Sequence, residues 1–524
     1  MTIDPVAVEV WRHLLESIPE EMGATLERTA YSPNIKERLD HSCALFDADG
    51  RLVAQAAHIP VHLGAMPLMM DRLRHEIAWS PGSMWLCNDP RHGGTHLPDL
   101  TLVAPIYRPV GAARPELIGF AANRAHHADI GGLAPGSLPL STELFHEGFI
   151  IPPVRLVARG RVQTDMLALL CANSRTGNER RGDLAAQVAA NRIGERRYQE
   201  LYERYGADEV LARQAEARAH AEAMVRAVLR SAPVGIYRHE DVMEDDGAGN
   251  PDLPIRVTAT IREGEIHFDF AGTAPETRGS INAPEAVTRS ACYYVVRCLI
   301  DEEIPMNAGT FAAVSVDAPA GTLVNARFPR AVAAGNVETS QRIVDVLLGA
   351  LAAAFPDRIP ATSQGTMNNL LIGGEDPIRG TRFSYYETIC GGAGASPSSP
   401  GASAVHTHMT NTRNTPIEAL ELHYPLRVRR YALREGSGGR GARKGGEGVI
   451  REIELLAPAH VSVVSERRRT APPGLAGGCA AAAGRNVLAL PAEPPADARA
   501  KFSRELPVET VVTIETPGGG GHGT

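Results

Sequence analysis

Two glycine-rich stretches, NDPRHGGTHLPDL (residues 88–100) and NRAHHADIGG (residues 123–132), decide how this sequence is interpreted. Each contains a histidine followed three residues later by an aspartate, and these four residues are His96, Asp99, His126 and Asp129. Glycine permits tight turns and close backbone approach, so we expect loops that bring polar side chains together.

An apolar run typical of a β-strand precedes each motif: SMWLC (83–87) before the first and LIGFAA (117–122) before the second. Pro98 lacks the N–H that a helix interior needs, which places the first motif on a loop. Neighbouring strands that end at one sheet edge would bring two imidazoles and up to two carboxylates to one point. Such a set suits zinc, iron, manganese or cobalt. The spacing alone fits an ordinary hydrogen-bonded polar cluster equally well.

Length and composition indicate a large globular protein. With 524 residues, of which 44% are apolar and 22% charged, the chain exceeds one ordinary core, so we expect two to four domains. A net charge of −8 argues against nucleic acid as the main partner. The short basic run Arg467–Arg469 is interpreted as a solvated loop.

The sequence also predicts a cytoplasmic protein. Residues 1–23 are expected to form an amphipathic helix and not a signal peptide, and no run of about 18 apolar residues predicts a membrane span. The seven cysteines are scattered and free of CxxC spacing, which favours reduced thiols over a disulfide framework.

Periodicity places the early elements. Residues 6–30 are expected to form a helix that Pro19 kinks or splits. Residues 43–46 and 51–55 flank the turn DADG and predict a β-hairpin. Asp40, just before this hairpin, is interpreted either as a turn residue or as a further metal ligand.

The remaining chain predicts helices over residues 183–205, 207–231 and 287–300, and an antiparallel β region that begins near Pro233. The glycine-rich last third contains neither GxxxxGK[ST] nor a clear strand–GxGxxG–helix unit, so we do not expect this chain to bind ATP unaided. The fold class is α+β with mixed and antiparallel sheets. Its expected parts are a metal-bearing part (1–232), a β-rich part (233–370) and a glycine-rich part (371–524).

Many long motifs occur in one order along nearly the whole chain. They are LDHSCALFDADGRL, HIPVHLGAMP, NDPRHGGTHLPDL, AHHADIGG, FHEGFIIPPV, NSRTGNERRGDL, DFAGTAPETRGSIN, GNVETSQR, MTNTRNTPIEALE, GSGGRGARKGGEG and PGGGG. In this set and order the chain resembles the hydantoinase B/oxoprolinase family over about residues 5–524.

The resemblance implies a subunit of an ATP-dependent enzyme that opens cyclic amides such as 5-oxoproline, hydantoins and lactams, or that carboxylates ketones. It implies a separate hydantoinase A-type partner that binds ATP, and therefore a hetero-oligomer. The partner would phosphorylate the substrate oxygen. This chain would hold a divalent transition metal (Zn, Mn, Fe or Co) that supplies the attacking water.

The resemblance also assigns residues. The implied metal ligands are Asp40, His96, Asp99 and His126. His127 is an alternative to His126 and a candidate catalytic residue, and Asp129 is a candidate base or a group that orients an imidazole.

Five further residues are candidates around this site. His92 and Glu147 are candidate pocket residues, although the local pattern by itself favours a structural role for Glu147. Asn88, Asp89 and Arg124 are expected to brace the loops.

Three functions remain open at this point: cyclic-amide hydrolysis, which we place first, ketone carboxylation, and a non-catalytic scaffold for the ATP-binding chain. The histidine and aspartate set argues against the scaffold. The two enzymatic functions share the metal set and the partner, so the sequence does not separate them.

Overall fold

The computed structural model describes residues 5–56, 58–108 and 115–524. Its α-helices there are α1 (Pro5–Thr29), α2 (Pro33–Lys36), α3 (Ala65–Glu76), α4 (Thr164–Ala172), α5 (Gly177–Tyr205), α6 (Ala207–Ser231), α7 (Glu285–Cys298), α8 (Ser340–Leu351) and α9 (Ile417–His423).

The strands over the same ranges form several sheets. They are β1 (His41–Asp47), β2 (Leu52–Gln55), β3 (Met84–Cys87), β4 (Asp99–Tyr107), β5 (Leu117–His126), β6 (Val154–Ala158), β7 (Arg161–Val162), β8 (Gly235–Asp245), β9 (Pro251–Arg262), β10 (Glu265–Asp269), β11 (Val314–Asp317), β12 (Asn369–Asp376), β13 (Thr381–Thr388), β14 (Leu426–Arg434), β15 (Gly448–Leu455), β16 (Ala459–Val464), β17 (Arg485–Ala489), β18 (Ala496–Ala498), β19 (Lys501–Leu506) and β20 (Val511–Glu515). The predicted α+β class is confirmed.

A seven-stranded sheet in the order β2-β1-β5-β4-β3-β6-β7 positions the two histidine motifs. Its β1–β2 hairpin is the predicted one, with Leu45 opposite Ala54. Strand β5 lies antiparallel between β1 and β4, and the register pairs His41 with Ala125 and Asp99 with His126. The start of β1, the start of β4 and the end of β5 therefore share one sheet edge. The two strands that the sequence analysis expected to be neighbours, β3 and β5, are separated by β4.

Helices α1 and α5 pack on one face of this sheet. The buried side of α1 runs from Trp11 through Met22 to Leu26, and it shares a core with Ala121 and Ala125 of β5. Helix α1 continues through Pro19, so a split into two helices is wrong. Burial of apolar side chains on both sides of this proline offsets the hydrogen bond that it cannot make.

Three further sheets complete the architecture. Strands β11-β10-β9-β8 form the second, β13-β12-β16-β19 the third and β14-β15-β20-β17-β18 the fourth. The largest apolar cluster joins Ile59 and Leu138 to Val295 of α7, Leu347 of α8 and Val464 of β16. Because this core combines distant segments, the parts interlock, and the three-part division stays a prediction.

Two expectations from composition can be compared with the structure. All seven cysteines are free, as their scattered spacing predicts. Within residues 5–56, 58–108 and 115–524, no helix has both the length and the apolar character that crossing a membrane requires.

Candidate metal centre

The shared sheet edge brings the predicted ligands together. Asp99 opens β4, and it pairs with His126, the last residue of β5. Asp40 lies immediately before β1, and its carbonyl accepts a hydrogen bond from the His126 N–H at 3.0 Å. His96 stands three residues before Asp99 in the loop from β3 to β4. Strand pairing thus joins segments that are far apart in sequence.

His96, Asp99 and His126 form a compact buried cluster. His96 Nδ1 lies 3.0 Å from Asp99 Oδ2, and His126 Nδ1 lies 3.3 Å from Asp99 Oδ1. One ligand atom from each residue lies within 4.8 Å of the others. All three residues are at most 2% exposed.

The ring nitrogens test whether this cluster fits a metal. Within the described residues, Nε2 of His96 and Nε2 of His126 are buried without a hydrogen-bond partner. Buried polar atoms normally have partners, so such atoms call for a water or an ion. Two imidazoles and a carboxylate are ligands that zinc, manganese, iron and cobalt accept. The residues present therefore fit a divalent transition metal.

The pKa values of Asp99, His126 and His62 also favour metal binding. Burial raises the pKa of Asp99, but nearby His96 and hydrogen bonds from His126 and His62 outweigh burial and hold that pKa well below its usual range. Burial lowers the pKa of His126 and of His62. An ionised carboxylate among neutral imidazoles is the protonation state in which these groups bind metals.

His62 is a member of this centre that the sequence analysis did not assign. Its Nε2 lies 3.4 Å from Asp99 Oδ2, and its Nδ1 lies 2.8 Å from Ser42 Oγ. HIPVHLGAMP carries no His-x-x-Asp spacing, so the pattern that selected the other histidines does not select His62. Its position depends on its own contacts with Ser42 of β1 and Asp99 of β4.

A cavity of about 20 Å³ adjoins the cluster. This volume holds about one water molecule and no substrate ring. The lining residues are Asp40, Ile59, Val61, His62, His96, Asp99, His126, Asn336, Val337, Met367, Tyr386, Thr388, Met409, Thr410 and Thr412. Four of the predicted residues, Asp40 included, thus face one cavity.

His127 does not line this cavity. Its Nε2 lies 3.0 Å from Oε1 of Gln187 in α5. Burial, followed by the nearby Arg180, lowers the pKa of His127 to about 3. Successive residues at a strand end face opposite sides, so His126 turns toward the cavity while His127 turns toward α5. The alternative ligand His127 is not brought to the cluster.

Asp129 also lies outside the cavity lining. It is fully buried, and its carboxylate accepts hydrogen bonds from the backbone N–H groups of Gly131 and Arg175, both at 3.0 Å. The Arg175 guanidinium donates to Oδ2 at 2.9 Å. These contacts tie the loop after β5 to the segment between α4 and α5. The structure gives Asp129 a loop-bracing position, not the position of a base at the cavity.

The predicted bracing residues hold the loop that carries His96. Asn88 Nδ2 donates to the carbonyls of Leu97 at 2.8 Å and Phe149 at 3.0 Å, and Asn88 Oδ1 accepts from the Ile151 N–H at 2.7 Å.

Asp89 and Arg124 brace neighbouring backbone. The carboxylate of Asp89 accepts from the Arg91 N–H at 2.9 Å and so caps the short helical turn Pro90–His92. Arg124 donates to Thr101 Oγ1 at 2.7 Å and to the Gly93 carbonyl at 3.3 Å.

The two candidate pocket residues lie elsewhere. His92 Nδ1 lies 2.8 Å from Glu76 Oε2, away from the cavity lining. Glu147 accepts hydrogen bonds from Ser141 Oγ and from the N–H groups of Val332 and Ala333. Burial raises the pKa of Glu147 to about 7. These contacts agree with the structural role that its local pattern favours.

The family model for hydantoinase B/oxoprolinase matches residues 4–524. The chain belongs to this family. Its sequence is 40% identical to 5-oxoprolinase 1 of Arabidopsis thaliana over 99% of the chain, but it covers only 42% of that relative. The chain therefore spans about two fifths of the length of such relatives. A relative from Pseudomonas sp. strain NS671, named as a putative D-/L-hydantoinase subunit, is 33% identical over 90% of the chain and 81% of its own length.

Solved structures share the fold. The ATP-dependent caprolactamase from Pseudomonas jessenii superposes with a TM-score of 0.92 at 30% identity, over 100% of this hydantoinase B-family chain and 92% of the other. Acetone carboxylase superposes with a TM-score of 0.91 at 18% identity, over 99% and 76% of the two chains. The second likeness concerns the fold alone.

Proposed function

We propose that this chain is the metal-binding part of an ATP-dependent enzyme that hydrolyses a cyclic amide of the hydantoin, 5-oxoproline or lactam class. The observation that carries the proposal is the buried His96–Asp99–His126 cluster, with its unpartnered ring nitrogens, beside a small cavity. The relatives named 5-oxoprolinase and caprolactamase support the substrate class.

The ligands would be His96, Asp99 and His126, with Asp40 at the same edge. A divalent transition metal held there would lower the pKa of a bound water and orient it toward the substrate. The residues themselves supply a buried carboxylate and buried imidazoles, and burial lowers the pKa of the His126 and His62 imidazoles. The hydroxyl groups of Thr410 and Thr412 and the amide of Asn336 add polar groups to the lining.

ATP would act through a hydantoinase A-type partner. An amide carbon is a poor electrophile, and phosphorylation of the amide oxygen creates a leaving group. Coverage of only 42% of 5-oxoprolinase 1 leaves most of that longer relative unmatched, and the hydantoinase relative is named as a subunit. The subunit name supports a hetero-oligomer, and the unmatched part of the longer relative is where an ATP-binding function would lie in that protein.

Reconstitution with such a partner tests the proposal. ADP and ring-opened product would be measured with 5-oxoproline, hydantoins and lactams, for the parent chain, the His96→Ala variant and the His127→Ala variant. We expect ATP-dependent ring opening that is lost in His96→Ala and largely kept in His127→Ala. Equal activity in the parent and His96→Ala would contradict the proposed role of this cluster.

The same assay separates the other two functions. Product that incorporates labelled bicarbonate from a ketone, with no ring opening of any cyclic amide, would replace hydrolysis by ketone carboxylation. Full turnover by a metal-free complex would instead favour a scaffold for the ATP-binding chain.

A further inference from the structure

Tyr386 of β13 contacts the His96–Asp99–His126 cluster through its aromatic ring. Its ring stacks on the His126 imidazole with a centroid distance of 4.7 Å and an interplanar angle of 20°. The Arg38 guanidinium lies 4.8 Å from the centroid of the same tyrosine ring. The Tyr386 ring is therefore held between a cation and an imidazole, and it is only 4% exposed.

This stack has a consequence for the orientation of His126. Metal-binding histidines usually donate their second ring N–H to a carboxylate or carbonyl, which fixes the ring plane. Here Nδ1 of His126 faces Asp99, while Nε2 has no hydrogen-bond partner among the described residues. The plane of the imidazole is thus set by its contact with Tyr386 as well as by Asp99.

A hydrogen-bonded chain fixes Tyr386 in turn. The Tyr386 hydroxyl donates to Asn369 Oδ1 at 3.0 Å. Asn369 Nδ2 donates to Glu338 Oε1 at 2.8 Å, and the Met367 N–H donates to the same oxygen at 3.2 Å. Glu338 and Asn369 are both 0% exposed, so water does not compete for these bonds.

Glu338 lies on an unusual backbone segment. Residues Gly335–Thr339 form a π-helical turn directly before α8, and such turns are frequent at functional sites. Asn336 and Val337 of this turn line the cavity, while Glu338 points to Asn369. Burial raises the pKa of Glu338 to about 8, so at neutral pH its carboxyl group is mostly protonated and adds little negative charge to the core.

We propose that Glu338 is a positioning residue of the metal centre, which acts through Asn369 and Tyr386 to fix the ring of His126. The inference rests on the proposed metal-binding function. It assigns a role to the GNVET turn (Gly335–Thr339), which contributes no residue to the proposed ligand set. Because the Glu338 carboxyl does not touch the ligands, its effect reaches them only through the Asn369–Tyr386 chain.

Titration with Co²⁺ tests the inference without requiring turnover. The dissociation constant and the visible absorption bands of the bound ion would be measured for the parent, Glu338→Ala, Glu338→Gln and Tyr386→Phe. Loss of a partner that orients a ligand typically costs about 10–100-fold in metal affinity, so we expect about tenfold weaker binding in Glu338→Ala and Tyr386→Phe. Glu338→Gln keeps an acceptor for Asn369 and should stay within about threefold of the parent.

A double-mutant cycle separates this role from general destabilisation. If Glu338 acts through Tyr386, the Glu338→Ala/Tyr386→Phe variant should bind Co²⁺ no more weakly than either single variant, because both break one chain. Tyr385→Phe is the matched control, since Tyr385 is the adjacent buried residue and faces the opposite side of β13. It should leave affinity and spectrum unchanged.

The outcomes distinguish this inference from the function on which it rests. If the parent takes up no Co²⁺, the metal-binding proposal and this inference both fail. If the parent binds Co²⁺ while Glu338→Ala and Tyr386→Phe match it in affinity and spectrum, only the role of Glu338 is overturned. Additive losses in the double variant would likewise overturn transmission through Tyr386.

Discussion

Replacement of Asn88 by alanine tests how the structure holds the loop that carries His96. This side chain makes three hydrogen bonds, to the backbone of Leu97, Phe149 and Ile151. Its removal leaves two carbonyl groups and one N–H without this partner in a buried site. Each such loss costs about 1–3 kcal/mol, so we take about 3 kcal/mol as a lower estimate for the sum.

Hydrogen–deuterium exchange measures this cost at a defined atom. The Ile151 N–H donates to Asn88 Oδ1, so its protection reports the bond directly. A loss of about 3 kcal/mol corresponds to roughly 100-fold faster exchange, since every 1.4 kcal/mol is tenfold. Metal affinity should also fall, because His96 is carried on the same loop.

Asn173→Ala is the control for this experiment. Asn173 is exposed, and its side chain makes one hydrogen bond, to the Leu169 carbonyl at 2.8 Å. This variant should leave exchange at Ile151 unchanged. If the exchange rate of the Ile151 N–H in Asn88→Ala stays within about threefold of the parent, the Asn88 side chain does not hold this loop.

Three other predictions concern residues around the site. Asp129→Ala should lower the free energy of unfolding by about 3 kcal/mol, because it leaves Arg175 without its buried partner. The Co²⁺ affinity of this variant should stay within about threefold of the parent. A large loss of affinity with unchanged stability would contradict the bracing role. His127→Ala should likewise keep Co²⁺ binding, since His127 faces Gln187, and an abolished spectrum would contradict this placement. Because the pKa of Glu338 is raised, the folded state keeps a proton that the unfolded state has released, so the free energy of unfolding should fall as pH rises from about 4.5 to about 8. Glu338→Gln should make the free energy of unfolding depend less steeply on pH over this range. Equal pH dependence in the parent and the variant would contradict a raised pKa.

Local patterns selected residues that the structure brings together at the candidate site. The strand runs before each motif predicted that His96, Asp99 and His126 meet at one sheet edge, and the three residues do lie together there. Asp99, however, opens β4 and is not part of the loop that Pro98 predicts. The same patterns ended the second strand at residue 122, whereas β5 continues to His126. In a strand that continues to residue 126, side chains alternate between the two faces of the sheet, so His126 and His127 face opposite sides.

Long-range packing explains what the sequence did not reveal. His62 reaches Asp99 across 37 residues of chain, and Tyr386 reaches His126 across 260. Neither residue carries a local spacing that marks it, since Tyr386 lies in an ordinary strand and His62 in a short turn. Residues that join a site through tertiary contact alone leave no periodic signal.

Metal content measured by plasma mass spectrometry tests the central claim most directly. The purified chain would be compared with His96→Ala and Asp99→Ala, and with the control variants His75→Ala and Asp71→Ala, which alter exposed residues of α3. We predict near-stoichiometric divalent transition metal in the parent and both controls, and its loss in the two site variants with unchanged circular dichroism. A complex with the ATP-binding partner that is active yet free of metal would contradict the account.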